Sequence, residues 1–169
     1  MGVEIERKFL VGSDAWRGAV ASSTRLRQGY LANTARASVR VRRAGDSAWL
    51  SVKSMTAALT REEYEYAIPA ADAEAMLDRL CEGPQIDKVR HLVTVGGHQW
   101  EIDEFLGDNA GLVVAELELD AEDEPFVRPG WLGAEVTHEA RYYNFRLAEH
   151  PYARWTDAER RAANPPVEA

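Results

Sequence analysis

Acidic residues recur two positions apart in this chain, as Glu4 and Glu6, Glu63 and Glu65, Glu101 and Asp103, and Glu116 and Glu118. Basic residues keep the same spacing in Arg40 and Arg42 and in Lys88 and Arg90, while Lys8 follows Glu6 and Lys53 follows Ser51. Two is the period of a β-strand, on which alternate side chains share a face. Carboxylates gathered on one face repel: two unit charges about 4 Å apart do so by about 4 kcal/mol at an effective dielectric of about 20. Something positive must compensate. Clustered hard oxygen donors select Mg2+, Mn2+ or Ca2+, and Mg2+ in particular is held by one or two carboxylates together with phosphates. Arg40, Arg42, Lys53, Lys88 and Arg90 suit the phosphate side of such a site, because guanidinium forks grip phosphate bidentately.

The elements that must position these residues are short strands, predicted over 3–11, 24–31, 37–43, 48–54, 61–68, 86–95, 98–105 and 113–120. Any one of them reads equally well as a half-buried strand with its charged face in water. Water-facing strands mix Thr, Ser, Lys and Gln, however, whereas here the charges are sorted by sign. Gly96-Gly97 between two such runs signals a two-residue hairpin. Helical stretches are expected at 13–21, at 70–82 with Asp72 as cap and Met76, Leu77, Leu80 and Cys81 on one stripe, and around 139–149. Thr156 and Glu159 have the spacing of a capping box, and Pro165 and Pro166 mark a frayed end. The expected fold is α+β: an eight-stranded closed antiparallel β-barrel with helices packed outside. A barrel of about eight strands has room inside for side chains or one small ligand, which suits a slender linear triphosphate.

The chain has 169 residues, about one domain, with 46% hydrophobic and 28% charged residues, ordinary for a folded protein. The expected division is a domain over 1–150 and an extension over 151–169. A net charge of −8 argues against a nucleic-acid partner, whose binding rests on a basic surface. No apolar run is long enough for a membrane span, and the opening MGVEIERKFLV is unlike a signal peptide. Cys81 is the only cysteine, which excludes an internal disulfide and fits a reducing cytoplasm.

The opening EIERK, followed in order by VRVR, LSVK, REEYEY, DKVRH, WEIDEF, VAELEL and EVTHEARYYN, resembles the CYTH family of triphosphate tunnel metalloenzymes over about 1–150. The resemblance implies an eight-stranded tunnel, an inorganic or organic triphosphate as substrate and Mg2+ or Mn2+ as cofactor. It implies Glu4, Glu6, Glu63, Glu65, Glu116 and Glu118, with Glu101 and Asp103, as metal and water-positioning carboxylates. Lys8, Arg40, Arg42, Lys53, Arg61, Lys88 and Arg90 are the corresponding triphosphate contacts. Tyr30, in RQGYL, is expected near Lys88, where the two share proton transfer with Glu4 as a third catalytic group, although a core-packed tyrosine is equally compatible. Arg141, Tyr142 and Asn144 are expected to be structural, His138 a surface or capping residue, and the stretch 142–160 a plug at one end.

The compact start and full EVT-RYYN end look like the short bacterial tripolyphosphatases. The expected reaction is metal-dependent attack of water on a terminal phosphoryl group, giving pyrophosphate and phosphate. Adenylate cyclase, thiamine or nucleoside triphosphatase and RNA 5′-triphosphatase are the alternatives within the family, and a noncatalytic polyphosphate or nucleotide sensor is the alternative outside it. A homodimer would suit a small open-faced barrel.

Overall fold

Most strands of this protein have one apolar and one charged face, and the sheet curls so that the charged faces lie inside. The computed structural model describes residues 2–55 and 60–163, and side chains within 5–55 and 62–160. The strands are β1 (Gly2–Val11), β2 (Val20–Asn33), β3 (Ala37–Ala44), β4 (Ser47–Ser54), β5 (Thr60–Ala67), β6 (Ile86–Val95), β7 (His98–Phe105), β8 (Val113–Leu119) and β9 (Leu132–Glu135). The helices are α1 (Ala70–Arg79), α2 (Asn144–Glu149) and α3 (Asp157–Ala163).

The expected eight-stranded closed barrel is corrected by the topology. Nine antiparallel strands run in the order β5-β4-β3-β2-β6-β7-β8-β1-β9. β1 also pairs with β5, but only from Gly2 opposite Glu63 to Ile5 opposite Thr60. Farther along that same edge, Phe9 and Val11 pair with Glu135 and Leu132 of β9. The two terminal strands of the sheet, β5 and β9, are not paired with each other among the described residues. Alternation reports which face a residue takes and says nothing of how many strands meet or where an edge stays open. β9 itself, LGAE, is too short to show a period.

Three apolar clusters hold the sheet. Outside, Phe9, Trp16, Trp100, Leu117 and Trp131 pack together, with the Trp100 and Trp131 rings 5.6 Å apart edge to face. Also outside, α1 lays Ala73 and Leu77 over Val41 and Ala48. It approaches β2 so closely that a Cβ on Gly29 would lie 2.9 Å from the Cys81 sulfur. The third cluster is on the inner face. Two residues on from Lys8, Asp103, and back from Lys88 and Glu116, the same faces carry Leu10, Phe105, Ile86 and Val114, and Tyr142, Leu147 and Trp155 seal them. The inner surface is thus charged along most of its length and apolar at one end, where the C-terminal segment packs.

Gly96 and Gly97 turn the β6–β7 hairpin with φ of 60° and 86°, as their sequence predicts. The stretch expected to be helical at 13–21 is a 3₁₀ turn over Asp14–Ala19, and β2 begins sooner than expected, at Val20. α1 starts after Pro69 with no side-chain cap, so Asp72 sits in the first turn without capping it. The stretch around 139–149 is a 3₁₀ turn over Ala140–Tyr142 followed by α2. The capping box forms at the start of α3: Thr156 N–H donates to Glu159 Oε2 at 2.6 Å and Glu159 N–H to Thr156 Oγ1 at 3.2 Å. Pro165 and Pro166 lie outside the described residues.

Leu77, on the inner side of α1, is buried against the sheet. Leu77→Ala is expected to lower the unfolding free energy by about 2–5 kcal/mol in a urea titration, and a change below about 1 kcal/mol would mean that α1 adds little to the fold.

Candidate functional site

Strand register decides which inward charges meet. Lys8 stands opposite Glu116, and Arg90 opposite Asp103. Lys53 stands opposite Glu63, and Ser51 lies between Arg40 and Glu65. Two pairs are like-charged, Glu6 opposite Glu118 and Glu101 opposite Glu116, an arrangement that destabilises a sheet unless a cation intervenes. For Glu101 and Glu116 that cation is Arg90, which bonds to Glu101 and donates to Glu116 at 2.8 Å.

These faces enclose a cavity of about 210 Å³. Glu6, Lys8, Tyr30, Arg40, Arg42, Lys53, Glu63, Glu65, Arg90, Glu101, Glu116 and Glu118 all line it. Lys88 and Asp103 are absent from the lining and lie behind Arg90, each with a side chain only 1% exposed. Asp103 accepts from Arg90 Nε at 2.7 Å through one oxygen and from Lys88 and Arg90 through the other. The side chains of Glu4 and Arg61 lie outside the described residues.

Burial and charge oppose each other in this cluster. Burial alone would raise the Asp103 and Glu116 carboxyls, but Arg90 and Lys88 at Asp103, and Lys8, Lys88 and Arg90 at Glu116, outweigh it and hold both below the usual range. At Glu101 burial prevails over Arg90, and its carboxyl is raised. Burial also lowers Lys88 to about 8, helped by Arg90 and opposed by Asp103. Tyr30 is pushed up to about 12 by burial against the pull of Arg40 and Lys8.

The other wall is more open in its bonding. Arg42 reaches Glu65 at 3.1 Å, Lys53 reaches Glu63 at 3.2 Å, and Arg40 bonds to Ser51 Oγ at 3.3 Å and lies 3.5 Å from Glu63. The Nε atoms of Arg40 and Arg42 are buried without a hydrogen-bond partner. An unmet buried donor costs about 1–3 kcal/mol, more when charged, and an anion in the cavity that these two side chains line would offset their positive charge. Burial first, and then neighbouring Arg40, lowers Arg42, which states the same demand for negative charge.

Tyr30 lines the cavity. Leu26, four residues earlier, stands opposite Lys88, while Tyr30 faces Arg40 and accepts from Gln28 Nε2 at 3.4 Å. Its ring meets Phe145 edge to face at 6.5 Å. Tyr143, Asn144 and Phe145 enter the lining together, and Tyr143 OH donates to the Thr137 carbonyl at 3.0 Å. Asn144 was expected to be structural, and no periodicity marks this turn as a wall of the cavity. Ser38, Ser54 and Met55 also line it; small polar residues next to basic ones were the available signal. His138 is exposed.

The donors present are hard carboxylate oxygens, as a divalent cation such as Mg2+ requires. Among the described residues no group of three or more acids, histidines or cysteines converges to hold a metal ion. Glu6 and Glu118 stand opposite each other on β1 and β8, with Lys8 3.9 Å from Glu6, and a cation between them would take one or two protein carboxylates and complete its shell with phosphate oxygens and water.

Residues 2–152 match the CYTH domain family. The inorganic triphosphatase of Acetivibrio thermocellus is 46% identical over 152 residues, covering 90% of this chain and 97% of that protein. That of Nitrosomonas europaea is 37% identical over 149 residues, covering 86% and 96%. A crystal structure of an inorganic triphosphatase, 35% identical, superposes with a TM-score of 0.64 over 88% of this chain and 95% of its own. With its charged inner face, its strand order and this match over nearly all of its length, the chain belongs to the CYTH domain family.

Proposed function

We propose that this protein is an inorganic triphosphatase that hydrolyses linear tripolyphosphate to pyrophosphate and phosphate with a divalent metal, Mg2+ or Mn2+. The observation that carries the reading is one cavity lined both by basic side chains, among them Arg40 and Arg42 with unmet buried Nε donors, and by the carboxylates Glu6, Glu63, Glu65, Glu101, Glu116 and Glu118. A cavity with that demand and those acids suits a polyanion that arrives with a cation. The relatives named inorganic triphosphatase support the same reaction.

In this reading Lys8, Arg40, Arg42, Lys53 and Arg90 hold the phosphate chain, and Arg61 joins them by the sequence resemblance. Glu6 and Glu118, with Glu4 by the same resemblance, would hold the metal, which when bound neutralises phosphate oxygens and makes an attacking water more acidic. Glu63, Glu65, Glu101 and Glu116 orient the basic side chains they bond to, and Asp103 serves as counter-ion behind Arg90. Water adds to a terminal phosphorus as the bridging P–O bond breaks and pyrophosphate leaves. The proton it sheds needs an acceptor. Lys88, lowered to about 8, has the pKa for that task. Because Lys88 lies behind the lining, it would take that proton indirectly, through a group at the cavity wall. Tyr30, raised to about 12, stays protonated and donates a hydrogen bond toward the substrate.

Phosphate release from tripolyphosphate, ATP, thiamine triphosphate and pyrophosphate, each with Mg2+, with Mn2+ and with chelator, tests the reading. Tripolyphosphate is expected to turn over fastest, and chelator to abolish release; cyclic AMP from ATP, or binding with no turnover, would contradict it. Arg42→Ala and Glu118→Gln are each expected to lower kcat/KM for tripolyphosphate about 100-fold or more, with full activity in either refuting its assigned role. A lysine whose pKa is lowered is protonated below that value, so kcat/KM should climb as pH rises through about 8 and then level off. Lys88→Arg, which keeps its proton throughout, is expected to remove that limb, and a limb unchanged in this variant would assign it to another group.

A further inference from the structure

Asn109 does not line the cavity, yet it is 4% exposed and holds the C-terminal segment at two points, Leu147 and Tyr152, just beyond the stretch that does. It sits in the short β7–β8 connection, on a 3₁₀ turn over Gly107–Asn109. That turn is fixed to the sheet: Leu106 N–H donates to the Asp87 carbonyl at 2.9 Å, and Leu112 N–H to the Asn109 carbonyl at 3.2 Å. From this base the Asn109 side chain reaches the C-terminal segment twice. Its Nδ2 donates to the Leu147 carbonyl at the end of α2 at 3.3 Å, and its Oδ1 accepts from Tyr152 N–H at 2.8 Å. The first residue of α2 is Asn144, which with Tyr143 and Phe145 forms a wall of the cavity.

Apolar packing also holds this segment, through Tyr142, Leu147 and Trp155. Packing of that kind is non-directional and tolerates sliding, whereas two hydrogen bonds from one amide fix both position along the sheet and rotation. A wall displaced by about 1 Å changes how deeply a rod-like polyanion can seat and how well its phosphorus meets the attacking water.

We propose that Asn109 is a positioning residue for substrate selection: its two-handed amide clamp sets where the Tyr143–Phe145 wall stands and so favours tripolyphosphate over ATP. The inference rests on the triphosphatase reading and deepens it.

The test compares wild type, Asn109→Ala and Asn109→Asp with Leu77→Ala, which weakens the fold from the far side of the sheet. The readout is the ratio of kcat/KM for tripolyphosphate to that for ATP. Asn109→Ala is expected to lower the ratio about tenfold, chiefly through a higher KM for tripolyphosphate, while Leu77→Ala leaves it unchanged. Asn109→Asp retains the acceptor for Tyr152 and is expected to fall between; it serves in place of Asn109→Ala if that variant does not fold. An unchanged ratio in a folded Asn109 variant, or an equal drop in Leu77→Ala, overturns the proposal by showing a structural role alone. The same ratio taken from calorimetric affinities with Mg2+ decides the clamp even if wild type turns nothing over, a result that would by itself sink the triphosphatase reading.

Discussion

The structure depends on burying many charges of both signs on the concave side of one sheet. Arg90 shows how this is tolerated, since it bonds simultaneously to Asp103, Glu101 and Glu116 from three different positions on neighbouring strands. Desolvating an arginine costs several kcal/mol, and only near-complete pairing offsets it. Replacing such clusters by apolar residues of equal volume is often neutral or stabilising, so stability is a poor reason for their presence. A rigid, prepaid arrangement of charge is what phosphoryl transfer requires, because the protein contributes positioning and electrostatics more than covalent chemistry.

That constraint explains the inversion of the fold. With the inner face given to charge, the apolar clusters around Trp100 and beneath α1 lie outside. Only at one end does the inner face become apolar, at Leu10, Ile86, Phe105 and Val114, where the C-terminal segment packs. The two walls of the cavity differ in consequence. Around Arg90 every charge is closely paired, whereas Arg40 and Arg42 retain donors with no protein partner. The first wall is closely paired and the second carries unmet donors.

Much of this is legible in the sequence because strand period is strict: residues two apart share a face, so Arg40 and Arg42, or Glu116 and Glu118, enter the same cavity whatever the topology. The number of strands and the state of the seam are not encoded that way. LGAE carries no alternation, and the edge of β1 divides its pairing between β5 and β9. Depth is equally hidden, since Lys88 and Arg90 obey the same period while only Arg90 reaches the lining. Tyr143, Asn144 and Phe145 come to the cavity through the tertiary packing of Tyr142, Leu147 and Trp155, a relation between distant segments that no local pattern reports. That Tyr30 stands opposite Arg40 is a matter of register, which spacing within one strand cannot fix.

In the proposed reaction, cation and polyanion occupy one site and complete each other's coordination. Calorimetric titration of Mg2+ into the protein, with and without a non-hydrolysable imido-bridged triphosphate, tests it most directly. The triphosphate is expected to tighten Mg2+ binding at least about tenfold, and Mg2+ to tighten triphosphate binding by the same factor, as linkage requires. Independent binding of the two, or equal Mg2+ affinity in Glu118→Gln, would contradict it.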